Sequence, residues 1–313
     1  MLLLSAALIP QKEARADDPA QVVVTVYPAY DWIRNILGED ETDVEVTWLF
    51  DNGVDPHSYQ PSVEDIMRIA SCDLFVYVGG ISDQWVQEAL AGAVNPDMQV
   101  ICLLDVLGGK AKEEELTEGM EAEEEADDGA DQEPEWDEHV WLSLKNAGLF
   151  CDALVKALQS LDPDHAADFQ DRTDAYKASL EELDQAYEET VADASGDTLL
   201  FGDRFPFRYL TDDYGLNYYA AFAGCSAETE ASFETIVFLA GKMDELQLPC
   251  VLVIEGSDER LAETIIQSTE QKDQMILTMD SLQSVTAGDV QEGFTYLSAM
   301  EENRQVLAKA LDY

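Results

Sequence analysis

The chain has 313 residues, of which 46% are hydrophobic, enough for one large or two medium domains with an ordinary buried core. Sixty-six Asp and Glu stand against 17 Lys and Arg, a formal charge of -49. Such a field repels nucleic acid and anionic membrane, and makes cations the natural ligands.

Residues 2 to 9, LLLSAALI, form a short apolar stretch, and Ala14-Arg15-Ala16 follows with the small-x-small spacing of a signal-peptidase site. Residues 1–16 are therefore read as a signal segment, and the mature chain is expected outside the cytoplasm, in the periplasm or at the outer face of the membrane. No other run reaches the roughly 18 to 20 apolar residues that span a bilayer. The five cysteines show no metal-binding spacing, and Cys72, Cys102 and Cys250 lie in or beside apolar runs, where a cysteine behaves as a small buried hydrophobe.

From residue 21 onward, β-rich runs alternate with helical stretches. Strands are expected at 22–28, 44–50, 74–80 and 100–106, with helices at 31–37, 63–70 and 83–93 between them. Alternation of this kind, with nearly continuous apolar strands, indicates a parallel sheet covered on both faces. Glu113 to Glu138 then holds fifteen acids and no Lys or Arg. That composition cannot support a packed core, so a disordered acidic loop is expected over about 109–136.

Residues 161–196 read as one long helix. Asp162 is placed to cap it, Pro163 suits the first turn and Gly196 stops it, while Phe169, Tyr176, Leu180, Leu183 and Tyr187 make one apolar stripe on a charged rod. At 1.5 Å per residue such a rod spans about 45 Å, the width of a domain. The alternation then restarts, with strands at 198–203, 216–222, 251–256 and 275–280 and helices at 232–246, 258–268 and 290–311. The fold class is α/β. Two lobes, 17–160 and 197–313, each carry a mostly parallel four-stranded sheet flanked by helices, and the backbone helix joins them.

In open α/β sheets, ligands bind beyond the carboxyl ends of strands. His57, in "DNGVDPHSYQPS", follows the second strand; His139, in "EWDEHVWLSLKNA", follows the fourth and the acidic stretch. Asp203, Arg204, Glu255 and Asp280 end strands of the second lobe. Imidazole and carboxylate together suit zinc or manganese. A lone loop histidine or a carboxylate before a serine is more often a surface group or a helix cap, so these positions alone leave metal binding open.

The segments "DPHSYQPS", "WDEHVWLSLKNA", "GDRFPFRYLTDDYGLNYYAAFAGCSAETEAS" and "GFTYLSAM", in this order from about residue 21 to the end, resemble the metal-binding solute receptors of ABC importers, the zinc and manganese group with a rigid backbone helix. The resemblance implies His57, His139 and Asp280 as ligands. It departs at Arg204, which stands where members usually carry His or Glu; guanidinium cannot ligate, and Asp203 is the expected substitute, with Glu255 and Glu230 in reserve and Arg204 itself free to pair with a carboxylate. The implied ligand is one divalent ion, zinc favoured and manganese next, and the implied partners are a permease and its ATPase, met by a monomer. A zinc hydrolase is the alternative from another class, although no HExxH, Gly-x-Ser-x-Gly or phosphate-cradling loop is present; a surface adhesin on the same scaffold is a further one.

Overall fold

The computed structural model describes residues 19–38, 42–121, 135–226 and 230–312. The signal segment expected at 1–16 and the middle of the acidic stretch lie outside the described residues.

The first lobe runs β1 (Ala20–Val24), α1 (Tyr27–Leu37), β2 (Val44–Trp48), α2 (Val63–Ser71), β3 (Leu74–Tyr77), α3 (Trp85–Ala91), β4 (Gln99–Cys102) and α4 (Leu103–Leu107). Its sheet has the order β2-β1-β3-β4, all parallel. On β1, Val22 and Val24 face one buried layer, whereas Val23 faces another with Ile69, Phe75 and Val86, so both faces are covered. Next come α5 (Leu144–Leu161) and α6 (Ala166–Asp193). The second lobe comprises β5 (Thr198–Phe205), α7 (Arg208–Tyr214), β6 (Asn217–Ala223), α8 (Phe233–Leu246), β7 (Cys250–Ile254), α9 (Arg260–Ser268), β8 (Met275–Met279), α10 (Ala287–Gln291) and α11 (Tyr296–Ala310), with the parallel order β6-β5-β7-β8.

The backbone helix is shorter than the range read from sequence. Asp162 does cap, accepting the His165 N–H, but it caps a single 3-10 turn at Pro163–His165 that leads into the 28 residues of α6. The expected stripe is all buried: Phe169, Tyr176, Leu180, Leu183 and Tyr187. Elsewhere the fourth strand stops at Cys102, and Leu103–Leu107 turn into a helix. The final helix is two, because Thr286 and Thr295 each open a capping box and Gly293 between them takes φ +100, a left-handed conformation that costs other residues. The short α7 was not expected at all.

Disorder over the whole of 109–136 is also corrected at its flanks. Glu113 bridges Trp136, Glu114 N–H donates to Glu135 O (2.8 Å), and Glu121 N–H donates to Ala221 O (2.9 Å) on the edge strand β6. Composition forbids a core there, but an edge strand offers unpaired backbone groups to any nearby segment.

One apolar core runs through both lobes. Val22 and Trp32 of the first belong to the same cluster as Phe201 and Leu252 of the second, and Phe169, Leu180 and Tyr187 of α6 sit in it too. Buried hydrogen bonds stitch the same region: Trp141 Nε1–H donates to Ser281 O (2.8 Å), Tyr296 O–H to Trp141 O (2.7 Å) and Tyr187 O–H to Met300 O (2.6 Å). Replacing Tyr296 by Phe keeps the ring and strands the Trp141 carbonyl, so unfolding in urea should show a loss of about 1–3 kcal/mol.

Candidate metal centre

His57 lies in a one-turn 3-10 helix, Pro56–Ser58, just beyond β2. Asp55 caps that turn by accepting the His57 N–H (3.0 Å), and the following Pro56 sets its first residue, so "DPH" is a local device for aiming an imidazole. His139 precedes the turn Val140–Leu142. Asp137 Oδ1 accepts both the His139 N–H (2.8 Å) and the ring Nδ1–H (3.1 Å). That leaves His139 Nε2 as the free nitrogen, and it faces His57 Nε2 at 3.2 Å. Two nitrogens bound to one tetrahedral zinc at 2.0–2.1 Å stand about 3.3 Å apart, so the pair is already at ligand spacing.

The surroundings favour a cation. His57 Nδ1 lies 2.8 Å from Ser82 Oγ and 3.5 Å from Glu138 Oε2. Burial, then the neighbouring His139, pushes the His57 pKa down to about 3. For His139, burial works against the imidazolium, but the carboxylates of Asp137, Glu138 and Glu114 outweigh it and hold the pKa above the ordinary histidine value. The two rings are thus unlike: the imidazolium is disfavoured at His57 and favoured by the surrounding carboxylates at His139.

A third donor converges from the second lobe. The sulfur of Cys225, in the loop after β6, lies with one nitrogen of each histidine so that all three atoms are within 4.8 Å of one another. Gly224 makes this approach possible: a Cβ there would stand 2.9 Å from His139 Cε1 and 2.8 Å from Phe205 O. Sequence reasoning missed Cys225 because it judged cysteines by spacing to other cysteines. The available signal was position, since the residue follows a strand at the carboxyl edge of its sheet.

The remaining candidates behave differently. The cleft between the lobes, of ≈ 910 Å³, is lined by Asp55, His57, Asp203, Arg204, Glu230 and Glu255 among others. Arg204 donates to Asp55 Oδ2 at 2.8 Å, an ion pair that crosses from one lobe to the other. Asp203 and Asp280, expected as ligands, lie outside the group formed by His57, His139 and Cys225. Asp203 is turned onto backbone, accepting the N–H of Arg204 (2.8 Å) and of Ile254 (3.4 Å). Asp280 Oδ1 accepts the Leu282 N–H (2.7 Å), and burial followed by the charge of Glu255 pushes its pKa up to about 7. Glu255 itself is consumed in shaping that loop, accepting the N–H groups of Ser281, Gln283 and Ser284 and the Ser281 hydroxyl. Glu230 lines the cleft without joining the cluster.

Comparison with known proteins gives the relatives of the chain. The zinc-binding lipoprotein AdcA of Streptococcus pneumoniae strain R6 is 28% identical over 304 residues, 96% of this chain but 57% of the relative, so the chain spans little more than half of that protein. The high-affinity zinc uptake system protein ZnuA of Bacillus subtilis strain 168 is 29% identical over 296 residues, covering 94% of this chain and 88% of the relative. The crystal structure of the Zn(II)-bound ZnuA-like domain of the Streptococcus pneumoniae AdcA superposes with a TM-score of 0.72 at 25% identity, over 94% of this chain and all of that domain. The family model for the periplasmic zinc-uptake complex component A, an uptake component and not an enzyme, matches residues 22–310. With two parallel-sheet lobes, a backbone helix and paired imidazoles at the cleft, and with that match over nearly its whole length, this chain belongs to the zinc-uptake complex component A family.

Proposed function

We propose that the chain is an extracytoplasmic receptor that captures one divalent transition metal between its lobes and delivers it, as a monomer, to a membrane permease and its ATPase. The observation that carries this reading is the 3.2 Å separation of the His57 and His139 Nε2 atoms, held from two different loops at the carboxyl edge of one sheet and facing the other lobe. In this reading His57 and His139 are ligands, and Asp137 orients the second by accepting its Nδ1–H, the role a carboxylate plays behind many metal-bound histidines. Asp203, Glu230 and Glu255 give the cleft its negative lining. Two imidazoles favour zinc over manganese, which prefers oxygen. The zinc-binding names of the relatives support the same preference.

Capture requires little motion, because the lobes share a core and the ligand atoms already stand near their final separation. Loading then brings a metal ion between the two facing Nε2 atoms.

Metal titration against a competing chelator tests the assignment. His57→Ala and His139→Ala should each lower zinc affinity at least 100-fold, roughly the upper end of what loss of an outer partner alone costs. Undiminished tight binding in both variants would refute the receptor. Arg204 adds a positive charge beside the site, so Arg204→Gln should raise the affinity for divalent ions severalfold in the same titration. The pH profile follows from the two rings. His57, with its pKa pushed down, is neutral throughout, whereas His139, with its pKa raised, has a proton to lose on loading once the pH is below that pKa. Below the His139 pKa affinity should fall about tenfold per pH unit more steeply than above it, as followed from about pH 8 to about pH 5.5.

A further inference from the structure

We infer that the Cys225 thiolate is the third metal ligand, so that the site is a cage of two imidazoles and one sulfur that discriminates against manganese. The inference rests on the receptor reading above and specifies its ligand chemistry.

The geometry carries it. The Cys225 sulfur and a nitrogen from each histidine lie within 4.8 Å of one another, and the sulfur comes from the lobe opposite the imidazoles. Around a tetrahedral zinc, with sulfur near 2.3 Å and nitrogen near 2.0–2.1 Å, sulfur and nitrogen stand about 3.6 Å apart. A closure of at most about 1.2 Å on the sulfur side therefore completes the cage. The loop is placed for it: Cys225 N–H donates to Glu114 Oε1 (2.9 Å), and Gly224 lets the chain lie against the His139 ring. The other strand-end residue of the second lobe that reaches across the cleft, Arg204, is bound to Asp55 and has no lone pair to offer. All five cysteines are free, so no disulfide competes for this sulfur.

Loading breaks the S–H bond heterolytically. The electron pair stays on sulfur and forms the bond to the metal, the proton leaves to water, and no electron changes hands. With two neutral imidazoles the loaded cluster carries a charge of +1, and a fourth position remains for water or a cleft carboxylate. Sulfur is a poor ligand for manganese and a good one for zinc, so selectivity, more than bare affinity, is what Cys225 should control.

The test uses the full chain stripped of metal and titrated with Co(II). One equivalent should produce the near-ultraviolet sulfur-to-cobalt charge-transfer band, and Cys225→Ser should abolish it. The same variant should lower the ratio of zinc to manganese affinity at least tenfold, roughly the least that disturbing a metal site costs, mainly through zinc. A cobalt adduct of the unaltered chain without the band, or a wild-type ratio in Cys225→Ser, overturns the assignment. A measurement needing no variant stands beside it: zinc should protect Cys225 from iodoacetamide, read by peptide mass, and undiminished labelling of the zinc-loaded chain also overturns it. His57→Ala separates the two readings. If metal binding requires His57 but the sulfur band is missing, only the role of Cys225 falls; if the unaltered chain takes up no metal, the receptor falls with it.

Discussion

The packing of a single apolar core through both lobes is the constraint on which the rest of the molecule depends. In a protein with two separate cores the distance between sheet edges is set by a linker. Here Trp32, Phe169, Tyr187, Phe201 and Leu252 belong to one cluster, and α6 lies along it, so the separation of the two carboxyl edges is set by side-chain volume. Interiors of this density do not stretch. The loops that carry His57, His139 and Cys225 therefore hang from fixed points, which keeps their nitrogen and sulfur atoms within 4.8 Å of one another.

Electrostatics complete what packing begins. Burial alone would keep both imidazoles neutral, but Asp137, Glu138 and Glu114 surround His139 and invert that preference, while at His57 burial and the neighbouring His139, with Arg204 adding to them, outweigh the pull of Asp55. A buried pair of facing imidazole nitrogens with carboxylates behind one of them is a natural host for a single small cation. Arg204 and Asp55 add a second, internal compensation. Although burial opposes ionisation of Asp55, the guanidinium holds its carboxyl below the usual range, so a carboxylate stays charged beside the site without becoming available to an ion.

Much of the fold was legible because parallel strands buried on both faces are written as unbroken apolar runs, and the stripe on α6 repeats at heptad spacing along a charged rod. What escaped were features decided by single residues or by distant partners. The break between α10 and α11 hangs on Gly293 and two threonine caps inside a stretch that otherwise reads as helix. The flanks of the acidic stretch are ordered by an edge strand far away in sequence. At the site, His57 and His139 were legible from loop position and from the resemblance to metal receptors. The resemblance implies Asp280 as a ligand and Asp203 as the substitute beside Arg204; both accept backbone N–H groups, and no sequence pattern records which N–H groups a carboxylate will satisfy. Cys225 was hidden for the converse reason: its neighbours come from another lobe, so nothing near it in the chain announces a cluster.

The ion pair between Arg204 and Asp55 bears on how an empty molecule differs from a full one. A frame locked by its own interior presents nearly the same outline in both conditions, so there is little change of shape to read. What changes is the local balance of charge, as a dication arrives next to a guanidinium that already bridges the lobes and weakens its hold on the carboxylate. In such a molecule occupancy is signalled as an electrical event at the rim of the cleft, and the contrast between vacant and charged forms should fade as ionic strength rises.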